Sequence, residues 1–101
     1  MLEPDSPIVA DAVLMNRLAQ RDSTALVELE RRHRSSVYAQ VYGVLMDAVS
    51  AERVVRDTFA QLWFEAARYT SKRSPLTLLR EMARELARAE RALKESPGNR
   101  R

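Results

Sequence analysis

Residues 50–69 read S-A-E-R-V-V-R-D-T-F-A-Q-L-W-F-E-A-A-R-Y, and this stretch decides the fold class. Its apolar side chains recur at helical spacing, as in an amphipathic helix that buries one face: Ala51, Val54, Val55, Phe59, Leu62, Trp63, Ala66 and Ala67. The only Trp and both Phe of the protein lie in this stretch. The pattern predicts a hub helix with Trp63 at the centre of the core and Ser50 as its N-cap.

The opposite face of the hub helix is polar. A polar face on a helix that is otherwise rich in large apolar side chains is exposed to solvent. We therefore expect it to be free to meet a partner, and its residues are Glu52, Arg53, Arg56, Asp57, Gln61 and Glu65.

Three further segments have the periodicity of amphipathic helices, at about residues 9–20, 24–46 and 75–94. Asp22 or Ser23 can cap the second helix and Ser74 the last, where Pro75 suits the first turn. Gly43 lies inside the second helix, which weakens that helix unless a close crossing requires a glycine. The side chains expected to face inward are Val9, Val13, Leu14, Met15 and Leu18, then Leu26, Leu29, His33, Val37, Val41, Val44 and Leu45, and finally Leu76, Leu79, Met82, Ala83, Leu86 and Leu93.

These segments predict an all-α fold, a compact bundle of four helices. The length of 101 residues suits one domain, which we expect at residues 9–95, between a disordered lead-in at 1–8 and a flexible tail at 96–101. The sequence has no Cys, which excludes disulfides and thiolate metal sites and fits a cytoplasmic protein. No apolar run approaches the roughly 18 residues of a membrane span.

The charges of the chain are unevenly distributed. Residues 1–64 hold 7 Arg and 9 acids, net −2, whereas residues 65–101 hold 10 Lys or Arg and 5 acids, net +5. On the last helix Arg80, Arg84 and Arg88 form a basic stripe beside Glu81 and Glu85. A basic C-terminal third is either a nucleic-acid footprint or an ordinary solvated helix surface, and charge alone does not separate the two.

The residues do not suggest an enzyme. The single histidine, His33, lies on the apolar stripe of the second helix, where a packed and hydrogen-bonded role is expected rather than that of a general base or metal ligand. There is no Cys, no second His and no Gly-rich phosphate loop. No acid lies in an apolar context that would mark an acid/base pair. We therefore expect no catalytic residue, no cofactor and no metal.

Three stretches in order carry a resemblance to a known family. They are D-A-V-L-M-N-R-L-A-Q-R-D-S-T-A-L-V-E-L-E-R-R-H (11–33), V-Y-A-Q-V-Y-G-V-L-M-D (37–47) and A-E-R-V-V-R-D-T-F-A-Q-L-W (51–63). Together they resemble region 2 of bacterial RNA polymerase sigma factors, and the extracytoplasmic-function (ECF) group in particular. The similarity covers roughly residues 9–93.

The resemblance implies a role in transcription initiation with two partners. In the family, the second and third helices dock on the coiled coil of the polymerase beta-prime subunit, which by position implicates Glu52, Arg53, Arg56 and Asp57. The following loop and the last helix hold the minus-ten promoter element as single-stranded DNA. By position, the DNA contacts would come from Tyr69, Ser71, Lys72, Arg73, Arg80, Arg84 and Arg88.

Both functional faces depart from the family pattern. Arg53 and Arg56 stand where an acid and a Gln are usual, Leu78 stands where a Trp is usual, and Glu85 lies near a usual Asn. Three interpretations therefore stay open. The chain is a working sigma region 2, or a sigma-like module that binds a regulator such as an anti-sigma factor or a second sigma subunit without reading promoters, or a small helical interaction domain with no role in transcription.

Overall fold

The computed structural model describes residues 9–68 and 73–95. These residues form four α-helices and one short 3₁₀ helix: α1 (Asp11–Ala19), α2 (Ser23–Leu45), α3 (Ala48–Glu65), the 3₁₀ helix (Ala66–Arg68) and α4 (Pro75–Glu95). The predicted all-α bundle of four helices is confirmed. The expected lead-in at 1–8 and tail at 96–101 lie outside the described residues.

Helices α2, α3 and α4 pack against one another in all three pairings, and α1 packs on α2 and on the 3₁₀ helix. Phe59 on α3, Leu29 and Val37 on α2, and Leu79 on α4 are at most 1% exposed. Each helix therefore contributes one buried stripe to a single core, as the apolar periodicity predicted. None of the helices in the described stretches is both long and apolar enough to span a bilayer.

The helix caps explain where the helices begin. Asp22 has an extended backbone, and its carboxylate accepts a hydrogen bond of 3.0 Å from the Thr24 N–H, which confirms it as the cap of α2. The Ser74 hydroxyl accepts from the Thr77 N–H at 3.1 Å at the start of α4, as predicted.

The predicted start of the hub helix at Ser50 is wrong. The N-cap of α3 is Asp47, whose carboxylate accepts a hydrogen bond of 2.9 Å from the Ser50 N–H. A carboxylate is as good a cap as a hydroxyl, and α3 consequently begins at Ala48, which leaves Ser50 buried in the first turn. The Ser50 hydroxyl accepts a hydrogen bond from Lys94 of α4 instead of capping a helix.

The centre of the core is also different from the prediction. Phe59 is 1% exposed and is the largest fully buried side chain of the described residues, whereas Trp63 is only partly buried and packs at the edge. Thr58 is fully buried as well, and its hydroxyl is satisfied because it donates to the Val54 carbonyl oxygen at 2.8 Å. The α-helix ends at Glu65, and the tighter 3₁₀ turn that follows leaves Ala67 exposed.

Besides Ala67, two larger apolar residues that were expected inside are exposed. Val13 is 42% exposed, because α1 meets its neighbours through the narrower stripe of Leu14, Met15 and Leu18. Leu93 is 63% exposed, because the adjacent Lys94 takes the side of the last turn that faces α3. Helical periodicity alone overestimated the width of both buried stripes.

Candidate functional site

The four residues assigned to the polymerase by position all lie on the solvent-exposed side of α3, which we call the α3 face (Glu52, Arg53, Arg56 and Asp57). Two of them are engaged within the chain. Glu52 forms an ion pair with Arg34 of α2, and Arg53 forms one with Glu90 of α4. These pairs connect α3 to both neighbouring helices, so the expectation that the whole face is free is wrong for these residues.

Arg56 and Asp57 are the remaining members of the α3 face. Both side chains are exposed, and neither makes an ion pair within the described part of the chain. Charged groups that no intramolecular partner neutralises are available to a binding partner. Of the four residues predicted to bind the polymerase, two therefore form ion pairs with neighbouring helices. The other two carry charges of opposite sign that no described residue pairs.

The cations assigned to DNA on the last helix form what we call the α4 stripe (Arg80, Arg84 and Arg88). All three are exposed and have no ion pair among residues 9–68 and 73–95. Arg80 and Arg84 border an open depression between α2 and α4, together with Ser36, Ala39 and Gln40. One turn of helix separates successive members, so the stripe presents a row of positive charge along one side of α4.

Other residues assigned to DNA are less available or lie outside the described residues. Arg73 forms an ion pair with Glu81, so this cation is already partly neutralised. Glu85 is exposed on α4 close to the stripe and has no ion pair in the part of the chain that the structure describes. Tyr69, Ser71 and Lys72 lie outside the described residues.

His33 takes part in a half-buried polar cluster that joins α1 to α2. Its Nε2 lies 2.7 Å from Oδ2 of Asp11, and the other carboxylate oxygen of Asp11 accepts from Arg32 at 2.9 Å. Hydrogen bonds from Arg31 and then Arg32 lower the pKa of Glu28 from 4.5 to about 2. Within the described stretches, no group of three or more His, Cys, Asp or Glu side chains is arranged to hold a metal ion.

One feature escaped sequence reasoning, an apolar groove at the far end of α3 from Asp47. It is lined by Ser23, Leu26, Ala60, Trp63 and Phe64, and we call it the Phe64 groove. Phe64 is 76% exposed, which is unusual for an aromatic side chain of this size. The sequence carried one signal, because Phe64 falls outside the buried stripe of the hub helix.

Arg21 contacts Trp63, one of the residues that line this groove. It lies in the turn between α1 and α2 with a left-handed backbone (φ 67°). Its guanidinium carbon lies 3.8 Å from the centroid of the Trp63 ring, and Nη1 donates to the Trp63 carbonyl oxygen at 2.9 Å. The ring is thereby held at the edge of the core, with Phe64 next to it.

Comparison with known proteins adds to this geometry. The chain is 38% identical over 72 residues to the ECF RNA polymerase sigma factor SigK of Mycobacterium sp. (strain KMS) and to that of strain JLS. The chain is related to sigma factors. The aligned residues are 70% of this chain but 37% of each relative, so the chain spans little more than a third of the relatives' length. No protein-family model matches the sequence, and no solved structure matches it.

The described residues carry exposed charged groups on two of the helices. The fold is wholly helical in the described residues, and the exposed cations of the α4 stripe lie on a different helix from the charged α3 face. The candidate site is therefore a pair of surfaces rather than a pocket.

Proposed function

We propose that residues 9–95 form a sigma region 2-like domain that binds core RNA polymerase and the single-stranded minus-ten element in transcription initiation. The observation that carries the proposal is the 38% identity over 72 residues to proteins named as ECF sigma factors. Polymerase and promoter act in the bacterial cytoplasm, so the proposal also assigns the protein to that compartment. The role is one of binding, without catalysis or a cofactor.

The polymerase contact is assigned to the α3 face, with the beta-prime subunit as the partner. Arg56 and Asp57 carry charges there that no other described residue pairs, while the ion pairs Glu52–Arg34 and Arg53–Glu90 hold α3 in place between α2 and α4. Charge pairs that hold helices together fix the orientation of the surface between them. In this proposal Arg56 and Asp57 contact the polymerase, and Glu52 and Arg53 chiefly support them.

The DNA contact is assigned to the α4 stripe and to the loop before α4. Arg80, Arg84 and Arg88 are exposed cations that can follow a phosphate backbone. Tyr69 could stack one base, which is worth about 1–3 kcal/mol, and Ser71, Lys72 and Arg73 would hold the strand beside it. Phosphate contacts carry no sequence information, so we expect slight discrimination between sequences.

The proposal is tested by two binding measurements on the full chain. Purified core polymerase should retain the chain on a size-exclusion column. Fluorescence anisotropy should show weak binding of a labelled minus-ten-like single strand, with a scrambled strand as the control, at two salt concentrations. Failure to bind core polymerase would reject the sigma-factor role, and failure to bind DNA at low salt would reject promoter contact alone.

A second candidate function is a sigma-like module that binds a regulator, either an anti-sigma factor or a second sigma subunit, without promoter reading. Two intramolecular pairs favour it, because Arg53–Glu90 and Arg73–Glu81 withdraw one cation from each proposed surface. Glu85, which has no ion pair within residues 9–68 and 73–95, also lies where it would repel phosphate. In this case a pull-down from native cytoplasm recovers the regulator, and core polymerase is absent from the eluate.

A further inference from the structure

A depression between α1 and α2 lies apart from both the α3 face and the α4 stripe, since it shares no lining residue with either. Its volume is about 460 Å³, which falls within the roughly 300–1,000 Å³ of small-molecule pockets in proteins. We call it the α1–α2 pocket. Apolar side chains and three arginines form most of its lining, namely Val9, Leu14 and Ala25, and Arg17, Arg31 and Arg32.

The apolar part of the pocket belongs to the edge of the hydrophobic core. Leu14 and Ala25 are buried, and Val9 packs against the same core just before α1 begins. Apolar groups in a depression of this kind can be covered by the apolar body of a ligand, and removing that surface from water favours binding. A ligand that fits the pocket therefore has an apolar portion as well as a group that meets the arginines.

Arg32 is the best-oriented cation of the pocket. Its Nε donates to Glu28 at 2.8 Å and its Nη1 donates to Asp11 at 2.9 Å, and its side chain is only 19% exposed. Two carboxylates on different helices therefore hold the guanidinium in one orientation. Its Nη2 makes no hydrogen bond within the stretches that the structure describes, so one donor in a fixed position is left for a ligand.

Arg31 and Arg17 differ in how far their charges are neutralised. Arg31 donates to both carboxylate oxygens of Glu28, at 3.0 and 2.6 Å. Arg17 is exposed on α1 and forms no ion pair among residues 9–68 and 73–95. Of the three arginines, Arg17 is therefore the one whose N–H groups are most available to an anion.

The lining of the pocket has a positive net charge. It holds three guanidiniums and a single carboxylate, that of Glu28, which leaves two positive charges in excess. Two further carboxylates lie nearby but do not line the pocket. Asp11 pairs with Arg32, and the pKa of Asp22 is lowered by its cap hydrogen bonds and then by the charge of Arg17. The groups in direct reach of a ligand thus attract an anion rather than a cation.

We propose that the α1–α2 pocket binds a small organic phosphate of the size of a nucleoside monophosphate. The phosphate group lies between Arg17 and Nη2 of Arg32, because guanidinium N–H groups match the geometry of phosphate oxygens. The apolar body of the ligand covers Leu14 and Ala25. Since Arg17 belongs to α1 and Arg32 to α2, the bound ligand bridges the two helices. A carboxylate on a similar apolar body has related chemistry, and one arm of the test separates the two.

The test uses the full chain with adenosine monophosphate as the probe. Isothermal titration calorimetry should show one saturable site, and the thermal midpoint should rise with the concentration of the probe, because the ligand binds the folded state. Arg17→Ala should weaken binding about tenfold, through the loss of a charge-assisted hydrogen bond, and should leave the midpoint without ligand unchanged. Arg80→Ala is the matched control, since it removes the same charge from an exposed position of the α4 stripe, and it should bind the probe like the wild type.

Three further ligands separate the parts of the interaction. Adenosine and inorganic phosphate should each bind far more weakly than adenosine monophosphate, because each lacks one half of the contacts. If either binds as tightly as the probe, the pocket does not recognise both halves and the proposal fails. If benzoate binds as tightly as the probe and loses affinity in Arg17→Ala, the ligand is a carboxylate, which overturns the assignment to a phosphate.

Two outcomes would reject the pocket itself. If Arg80→Ala loses the probe while Arg17→Ala retains it, the nucleotide binds the α4 stripe and not the α1–α2 pocket. If millimolar adenosine monophosphate gives neither heat of binding nor a rise in the thermal midpoint of the wild type, the pocket does not bind an organic phosphate.

Discussion

The guanidinium of Arg21 packs on the indole of Trp63, 3.8 Å from the ring centroid, and donates a hydrogen bond of 2.9 Å to the Trp63 carbonyl oxygen. Arg21 lies in the turn between α1 and α2, and Trp63 lies in the last turn of α3. The Arg21 side chain therefore connects the turn between α1 and α2 to the C-terminal end of α3, the hub helix. The same contact holds the indole in the wall of the Phe64 groove.

Arg21→Ala should lower the free energy of unfolding by about 1–2 kcal/mol, because it removes a cation–π contact and a hydrogen bond. Arg21→Gly is the matched variant, since it removes the same contacts but relieves the left-handed backbone at φ 67°. Urea denaturation should rank the wild type above Arg21→Gly, and Arg21→Gly above Arg21→Ala. Equal stability of all three proteins would mean that the contact contributes nothing.

Phe59→Ala should be the most damaging truncation in the hub helix, at about 3–5 kcal/mol, because it leaves a cavity in a closed core. Trp63→Ala should cost less, since Trp63 is only partly buried at the edge of that core. Thermal denaturation of the two variants under the same conditions compares them directly. A larger loss for Trp63→Ala would restore the sequence-based expectation that Trp63 is the centre.

Gly43→Ala should stabilise the protein by about 0.5–1 kcal/mol, because glycine inside a helix loses more backbone entropy on folding than alanine. Apart from its chain neighbours and the backbone of its own helix, no heavy atom of the described residues lies within 4 Å of the position that a Cβ would take. The close helix crossing that could have required a glycine is therefore absent there. Ala39→Gly, an exposed position one turn earlier on α2, should lose a similar amount. A melting point lowered by Gly43→Ala would contradict the open geometry.

Acidification should destabilise the fold partly through Glu28. Its pKa is lowered from 4.5 to about 2 by hydrogen bonds from Arg31 and Arg32. A carboxyl group whose pKa is lower in the folded state stabilises the fold above its ordinary pKa, and that contribution is lost as the pH falls towards the folded value. Glu28→Gln should therefore show a shallower loss of thermal stability between about pH 5 and about pH 2.

The control for this prediction is Glu30→Gln, which removes a carboxylate without an ion pair among the described residues. Asp22 and Asp47, whose pKa values are lowered by hydrogen bonds from Thr24 and Ser50, remain in both variants. The acid dependence should therefore be reduced in Glu28→Gln rather than abolished. An unchanged dependence in Glu28→Gln would show that the Arg31 and Arg32 contacts do not persist in solution.

Arg84→Ala should weaken binding of single-stranded DNA and reduce the salt slope by about 0.7, the value for one phosphate contact on a single strand. Arg17→Ala makes the same charge change on α1, at an exposed side chain outside the α4 stripe, and should leave the slope unchanged. Anisotropy titrations at several salt concentrations measure both slopes. Equal losses in the two variants would mean that only net charge matters, and that the stripe is not a site.

The sequence determined the number and type of the elements, because apolar side chains at helical spacing can be buried together only on one side of a helix. Helix caps that rely on local contacts were also predictable, as Asp22 and Ser74 show. Asp47 was missed because Asp and Ser are equally good caps. In the fold, Lys94, which lies far along the chain, contacts the side chains of both Asp47 and Ser50, and no local pattern predicts those contacts.

The tertiary structure alone decided which exposed charges are available to a partner. Sequence spacing placed Glu52, Arg53, Arg56 and Asp57 on one helix face, but ion pairing is set by side chains on α2 and α4 that no local pattern relates to α3. The same holds for Phe64, whose groove exists only because Leu26 packs beside α3. Periodicity predicts which face of a single helix is apolar and which is polar. The packing of the neighbouring helices determines which side chains of those faces stay exposed and without an intramolecular partner.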